Sequence, residues 1–319
     1  MPLPEGLSPQ KITTVGEMLV EIVAKEAGVG FEEHQVFVGP FASGASAIFI
    51  DQVARLGVPA AIVGCVGDDD FGRLNIDRLA KDGVDTRAIS LHPELPTGIA
   101  FVRYRPDGQR DFLYSIEGSA AAQISSESLD RVVREARHFH VTGSSLVFDK
   151  VAEFVSAALP AIKAAGGSIS FDPNIRKEML AKPDLIARLR QVLGFCDLLL
   201  PSSGELSLFS HATEEETAIA ELLASGISEI VLKQGAAGAS YFSASERRQF
   251  PSFPVEEVDP TGAGDCFCAT FVACRLLGKS VHESLRYACA AGAKTVTALG
   301  PMEGTAGFSE LDDFMAGFQ

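Results

Sequence analysis

Relative to its opposite, positive charge is what this chain has least of: 27 Lys and Arg stand against 42 Asp and Glu in 319 residues, a formal net charge of −15. A surface of that sign repels nucleic acid and anionic lipid, so neither is expected as a partner. Long hydrophobic runs are missing as well. No segment offers the roughly 18 uncharged apolar residues of a membrane span, and the start, MPLPEGLSPQKITTVGEML, has no basic stretch leading into an apolar one. The expectation is a cytoplasmic protein that does not enter membranes. Cysteines number six, and three of them (Cys266, Cys268, Cys274) share one apolar run, which suits reduced, buried thiols and not a disulfide framework. Cys266-x-Cys268 lacks the two-residue spacing of a zinc or redox pair, and no His-Glu-x-x-His occurs. The dinucleotide fingerprint G-x-G-x-x-G is absent too: after Gly262-Ala263-Gly264 its third glycine position holds Phe267, which argues against a nicotinamide oxidoreductase. Gly278-Lys279-Ser280 is no phosphate-binding P-loop, because Ala273 stands where that loop opens on glycine and the triplet reads as the end of a helix. No repeat, low-complexity tract or Pro/Gly/Ser linker divides the chain, so residues 1–319 are expected to form one domain.

What is present is the composition of a packed protein, 46% hydrophobic and 22% charged. β-prone runs at Ile12–Val15, Ala60–Val66, His138–Thr142, Ser168–Asp172, Leu198–Pro201 and Glu229–Lys233 alternate with helical patterns at Ala47–Leu56, Phe71–Lys81, Val151–Ala165, Asp184–Leu193 and Thr217–Ala224. That alternation predicts an α/β fold with a parallel sheet. Gly98–Ile116 breaks the rhythm. It reads as a hairpin turning at Pro106-Asp107-Gly108 and, with Val36–Val38, predicts a small antiparallel layer beside the main sheet. The acid clusters Asp68–Asp70 and Glu214–Glu216 read as solvated loop and helix-start residues.

The most informative segment is Asp259-Pro260-Thr261-Gly262-Ala263-Gly264-Asp265, followed by the apolar CFCATFVACRLL and Gly278. A glycine-rich turn opening a helix presents backbone N–H groups, and the positive end of the helix dipole, to an anion. Such a turn is a phosphate cradle. A carboxylate in the same turn would repel phosphate, unless Asp265 takes the proton of a hydroxyl that attacks it; a plain helix-capping role is the alternative.

This segment resembles the signature of the ribokinase-like (PfkB) carbohydrate kinases. So do Val15-Gly16-Glu17, the stretch Ser43–Gly57, VGCVGDDDFG, Thr97-Gly98, Phe171–Arg176, Pro201–Glu205 and Val231–Gly238, in the family's order over nearly the whole chain. The resemblance implies a Rossmann-like αβα sandwich with a small β-sheet lid, drawn from about 12–40 and 97–118. It also implies ATP-dependent phosphoryl transfer to a sugar hydroxyl. Carried over by position, Asp265 is the general base and Gly262, Ala263 and Gly264 are the anion hole. Glu205 holds Mg²⁺ through water, and Ser202 replaces the amide that usually accompanies it. Lys233, Gly235 and Gly238 form a nucleotide loop, Cys289 lies at the adenine pocket, and Asp259 and Thr261 mark a site for a monovalent cation such as K⁺. Glu21, Ser43, Gly44 and Arg176 fall at the sugar end, where Ile48 replaces an asparagine.

Among relatives, the nearest branch is that of the ketohexose and 2-keto-3-deoxygluconate kinases. The latter place a tyrosine and an arginine before Gly-Ser-Ala to clamp a carboxylate, and here those positions are Ser115 and Ile116. An isoleucine cannot pair a buried carboxylate. A neutral ketohexose such as tagatose or fructose, phosphorylated on its 6-hydroxyl, is therefore expected, with 2-keto-3-deoxygluconate kinase, ribokinase and a silent sugar sensor as alternatives. The alternating lid pattern leaves a strand edge on which a second copy could pair, so a homodimer is expected. The acidity is not uniform: Cys266–Gly300 carries four basic residues against one acid.

Overall fold

The computed structural model describes residues 11–175 and 177–318. In chain order its strands are β1 (Ile12–Val15), β2 (Leu19–Ala24), β3 (Phe37–Ser43), β4 (Ala60–Gly67), β5 (Val84–His92), β6 (Gly98–Tyr104), β7 (Arg110–Ser115), β8 (His138–Thr142), β9 (Ser168–Asp172), β10 (Leu198–Leu199), β11 (Glu229–Lys233), β12 (Ala239–Ser243) and β13 (Arg247–Phe250). The helices are α1 (Ala45–Arg55), α2 (Asp70–Lys81), α3 (Leu129–Glu135), α4 (Asp149–Ala164), α5 (Leu185–Leu193), α6 (Glu215–Ala224), α7 (Ala263–Leu276), α8 (Val281–Thr295) and α9 (Phe308–Ala316).

The large sheet has the order β13-β12-β11-β10-β9-β8-β1-β4-β5, parallel from β5 through β11 and finished by two antiparallel edge strands. Its inner strands are apolar without alternation because both faces are covered: every residue of β4, AAIVGCVG, is buried. Two cores flank the sheet, one including α1, α7 and α8 and the other α4, α5 and α6. Strand order reverses between β1 and β8, which places a crevice at the carboxyl ends of the strands. Glu17, Ser144, Asn174 and Lys233 all lie just past or at those ends.

A second sheet, ordered β3-β2-β6-β7, forms the lid. It corrects two expectations. Residues 12–15 are β1, a central strand of the large sheet, so the lid strands cover 19–43 and 98–115. The lid is also not wholly antiparallel, since β2 and β6 pair in parallel from Leu19 opposite Gly98 to Val23 opposite Val102. Asp69 does more than face solvent. Its carboxylate caps α2 through Gly72 N (2.8 Å) and accepts from Thr97 N and Thr97 Oγ1 (both 2.8 Å), tying the start of the lid strand to the body. The Gly278-Lys279-Ser280 triplet closes one helix and opens the next, with Ser280 in a capping box with Glu283 at the start of α8.

Candidate active site

Helix α7 has no apolar stripe because it is buried nearly all round, from Asp265 through Cys274, between its neighbours α1 and α8. Its N-terminus therefore opens into the interior of the crevice. Gly262, at its N-cap, has φ +84°, and a Cβ there would stand 2.4 Å from Pro301 O. Only glycine fits both conditions. The backing is itself braced. Arg78 Nη2 donates to Met302 O at 2.7 Å, and the buried Asp51 accepts from Thr305 Oγ1 at 2.9 Å. No side-chain hydrogen bond caps the start of α7, which leaves first-turn N–H groups such as that of Gly264 open to an anion; Ala263 N makes a long contact with Pro260 O at 3.4 Å.

Asp265 is buried at the same helix start, and Asn174 Nδ2 donates to its Oδ1 at 2.9 Å. Asn174, with its left-handed φ of +44°, thus orients the carboxylate. Two cavities meet beside it. One, of about 360 Å³, is lined by Glu17, Glu21, Ser43, Gly44, Ile48, Asn174, Ser202, Glu205 and Asp265, and by Arg110 and Ile116 of the lid. The other, of about 450 Å³, is lined by Gly235, Gly238, Phe253, Ala263, Phe267, Cys289 and Gly292. Lys233, Pro260 and Gly264 line both. Apart from Asp259 and Arg176, every residue expected to take part is thus gathered on one of two compartments joined at the glycine-rich turn. Asp259 lies directly behind the turn; Arg176 is outside the described residues.

Lys233 differs from a free phosphate ligand. Its Nζ is 2.5 Å from Asp172 Oδ2 and 3.4 Å from Cys268 Sγ, with Cys268 in turn 3.3 Å from Asp172. Burial alone would lower the lysine's pKa, but Asp172, Cys268 and Glu205 around it raise it overall, so it stays charged. Glu205 uses both oxygens on backbone amides, Ile175 N at 2.7 Å and Ser202 N at 2.6 Å, and its pKa is raised by burial and by Asp172. Ser202 thus enters through its backbone and by lining the acceptor cavity. Among the described residues no group of three His, Cys, Asp or Glu could hold a metal alone. Glu205 lines the acceptor cavity, and a carboxylate there is compatible with Mg²⁺, which is held mostly by phosphates and water.

Asp259 is fully buried and accepts from Thr261 N at 2.9 Å and Gly300 N at 3.1 Å. Both carboxylate oxygens are thus held by backbone amides behind the turn, and Arg110 of the lid reaches the same corner, with Nη1 4.0 Å from Asp259 Oδ1. At the sugar end, Ser43 Oγ donates to Glu21 Oε1 at 2.8 Å, Ser145 donates to Glu17, and Gly44, with φ +116°, brings α1 against Glu17 O. Residues Asp172, Asn174 and Arg110 had no role assigned from sequence. The signal for the first two lay in Phe171–Arg176, while nothing local marked Arg110.

The whole assembly matches known proteins. The model of the pfkB family carbohydrate kinases matches residues 9–306. The chain is 31% identical to probable fructokinase-3 of Arabidopsis thaliana, covering 91% of this chain and 86% of that protein. A putative ribokinase II from E. coli, solved in complex with ATP and Mg²⁺, superposes with a TM-score of 0.92 at 48% identity over 96% of this chain and 99% of that one. Fructokinase from Xylella fastidiosa with bound ATP gives 0.85 at 26% identity, covering 97% and 99%. A family match spanning residues 9–306 and a 31% identical relative covered to 86% show that the chain belongs to the pfkB family of carbohydrate kinases and is a phosphotransferase with an alcohol acceptor.

Proposed function

We propose that the enzyme transfers the γ-phosphoryl group of ATP to the 6-hydroxyl of a neutral ketohexose such as fructose or tagatose. The observation that carries this is the pair of cavities joined at Lys233, Pro260 and Gly264, with Asp265 on the acceptor side. Asp265 takes the hydroxyl proton as the sugar oxygen bonds to phosphorus and the bond to the bridging oxygen of ADP breaks. Backbone amides of Gly262, Ala263 and Gly264 take up charge on the transferred group. Mg²⁺ supplies charge neutralisation on the phosphates, near Glu205; Asp259 and Thr261 would hold K⁺. Gly235, Gly238 and Cys289 line the nucleotide side, where the small glycines let the backbone approach it closely.

Among the described residues the acceptor cavity is lined by four acids, Glu17, Glu21, Glu205 and Asp265, and by two basic residues, Arg110 and Lys233, the latter already paired with Asp172. A carboxylate-bearing sugar would be repelled there. Ile116 lies in the cavity wall where a carboxylate clamp would stand, and Ile48 adds a second apolar contact, so hydroxyl recognition falls to Glu21, Ser43 and Gly44. A coupled ADP-release screen over neutral ketohexoses, pentoses and keto acids tests this. Turnover is expected with a ketohexose; strong turnover with the keto acid alone contradicts it. The open edges β3 and β7, the latter with Leu113 and Tyr114 exposed, suit a homodimer through the lid, and a monomeric mass in sedimentation would contradict that.

A further inference from the structure

We propose that Arg110 is a catalytic arginine delivered by the lid, whose guanidinium neutralises the transferred phosphoryl group at the mouth of the anion hole. The inference rests on the phosphotransferase activity alone and holds whichever sugar is used.

Arg110 opens β7, directly after the lid hairpin turn. Its neighbours Arg103 and Arg105 are tied within the lid to Asp111, which points to the opposite face of the strand. Arg110 crosses to the body instead. Its Nη1 lies 2.5 Å from Thr261 Oγ1 and 4.0 Å from Asp259 Oδ1, so a lid residue touches the residue immediately before Gly262. The guanidinium packs over Phe112 at 5.5 Å from the ring centroid, and Phe112 stacks on Tyr114 at 5.4 Å with an interplanar angle of 2°. A cation–aromatic contact of this kind aims the head group.

Charge supplies the reason for such a device. The equatorial oxygens of a phosphoryl group in transfer carry negative charge that must be balanced in a site already holding several carboxylates. Lys233 cannot do this alone, because Asp172 occupies it at 2.5 Å. Arg110 is held less tightly: its hydrogen bond is to a neutral hydroxyl and its carboxylate neighbour, Asp259, stands off at 4.0 Å, so it can turn to a charged phosphoryl oxygen, and its planar fork fits two such oxygens at once. Because the arginine travels with the lid, closure and charge stabilisation become one event. Phosphoryl transfer to water, which needs no closed lid, would then lack it.

The test uses the full chain and the sugar of greatest turnover. Arg110→Gln is expected to lower kcat about 10²-fold with KM for sugar and ATP within about threefold. Arg110→Lys, which keeps the charge and loses the fork, should fall between the two, and added guanidinium ion should restore part of the kcat of Arg110→Ala. Unchanged kcat in Arg110→Gln overturns the proposal. So does a loss confined to sugar KM or matched by a lowered Tm, which would mark a structural latch. Restoration by potassium and not by guanidinium overturns it too, because the arginine would then serve the Asp259 corner and not the phosphoryl group.

Discussion

Asp265→Asn is expected to lower kcat by about 10³-fold or more, within the range that general-base removal costs, while the Kd for ATP changes by no more than a few-fold. The substitution is nearly isosteric, and Asn174 Nδ2 can still donate to the side-chain oxygen, which it meets at 2.9 Å in the native chain. The acceptor cavity therefore keeps its shape and loses its proton acceptor. Nucleotide binding depends on the other cavity and on the backbone of the turn, neither of which the change touches. Steady-state kinetics paired with calorimetric ATP binding separates the two effects. Turnover like that of the native enzyme would remove Asp265 from the role of base.

Gly262→Ala is expected to be nearly as damaging by a different route. An alanine at φ +84° is strained by about 1–2 kcal/mol, and its Cβ would stand 2.4 Å from Pro301 O, a backbone atom that cannot rotate away. The turn must move, and displacement of about 1 Å at reacting groups is enough to cost about 10²-fold in rate. Both kcat and Tm should drop. Gly264→Ala, two residues on, is the contrast: its φ is helical and the nearest atom to a Cβ is Lys233 Nζ at 3.8 Å. Its Tm should equal or exceed that of the native chain, since alanine is the better helix former by about 1 kcal/mol. Thermal melts of the two variants side by side check the claim, and equal Tm values would show that the clash with Pro301 is relieved without cost.

Much of this site is legible before the structure because its chemistry is local. The turn Asp259–Asp265 holds in seven consecutive residues the groups we propose as anion hole and base, and strands such as β4 announce themselves as apolar runs because both faces are covered. The lid hairpin is likewise written in its Pro-Asp-Gly turn. Long-range pairings leave no such trace. β2 and β6 are joined in parallel across some 80 residues with no pattern that distinguishes them from an antiparallel pair, and β1 reads like any short β run until its neighbours β4 and β8 are seen. Lys233 reads as a phosphate ligand, yet its first partner is Asp172, 61 positions earlier. Arg110 is one of three arginines in the hairpin, and only the folded chain shows that it alone of the three bonds Thr261 while the others hold Asp111.

Phosphorus-31 NMR of the enzyme incubated with ATP, Mg²⁺ and fructose or tagatose tests the central claim most directly. The account predicts ADP and a sugar phosphate formed in equal amounts, with the phosphorus signal split by the two protons of one terminal carbon and the carbon-13 couplings placing it at C6. Conversion of ATP to ADP and inorganic phosphate with no phosphate ester, or an ester on a secondary hydroxyl, would contradict it.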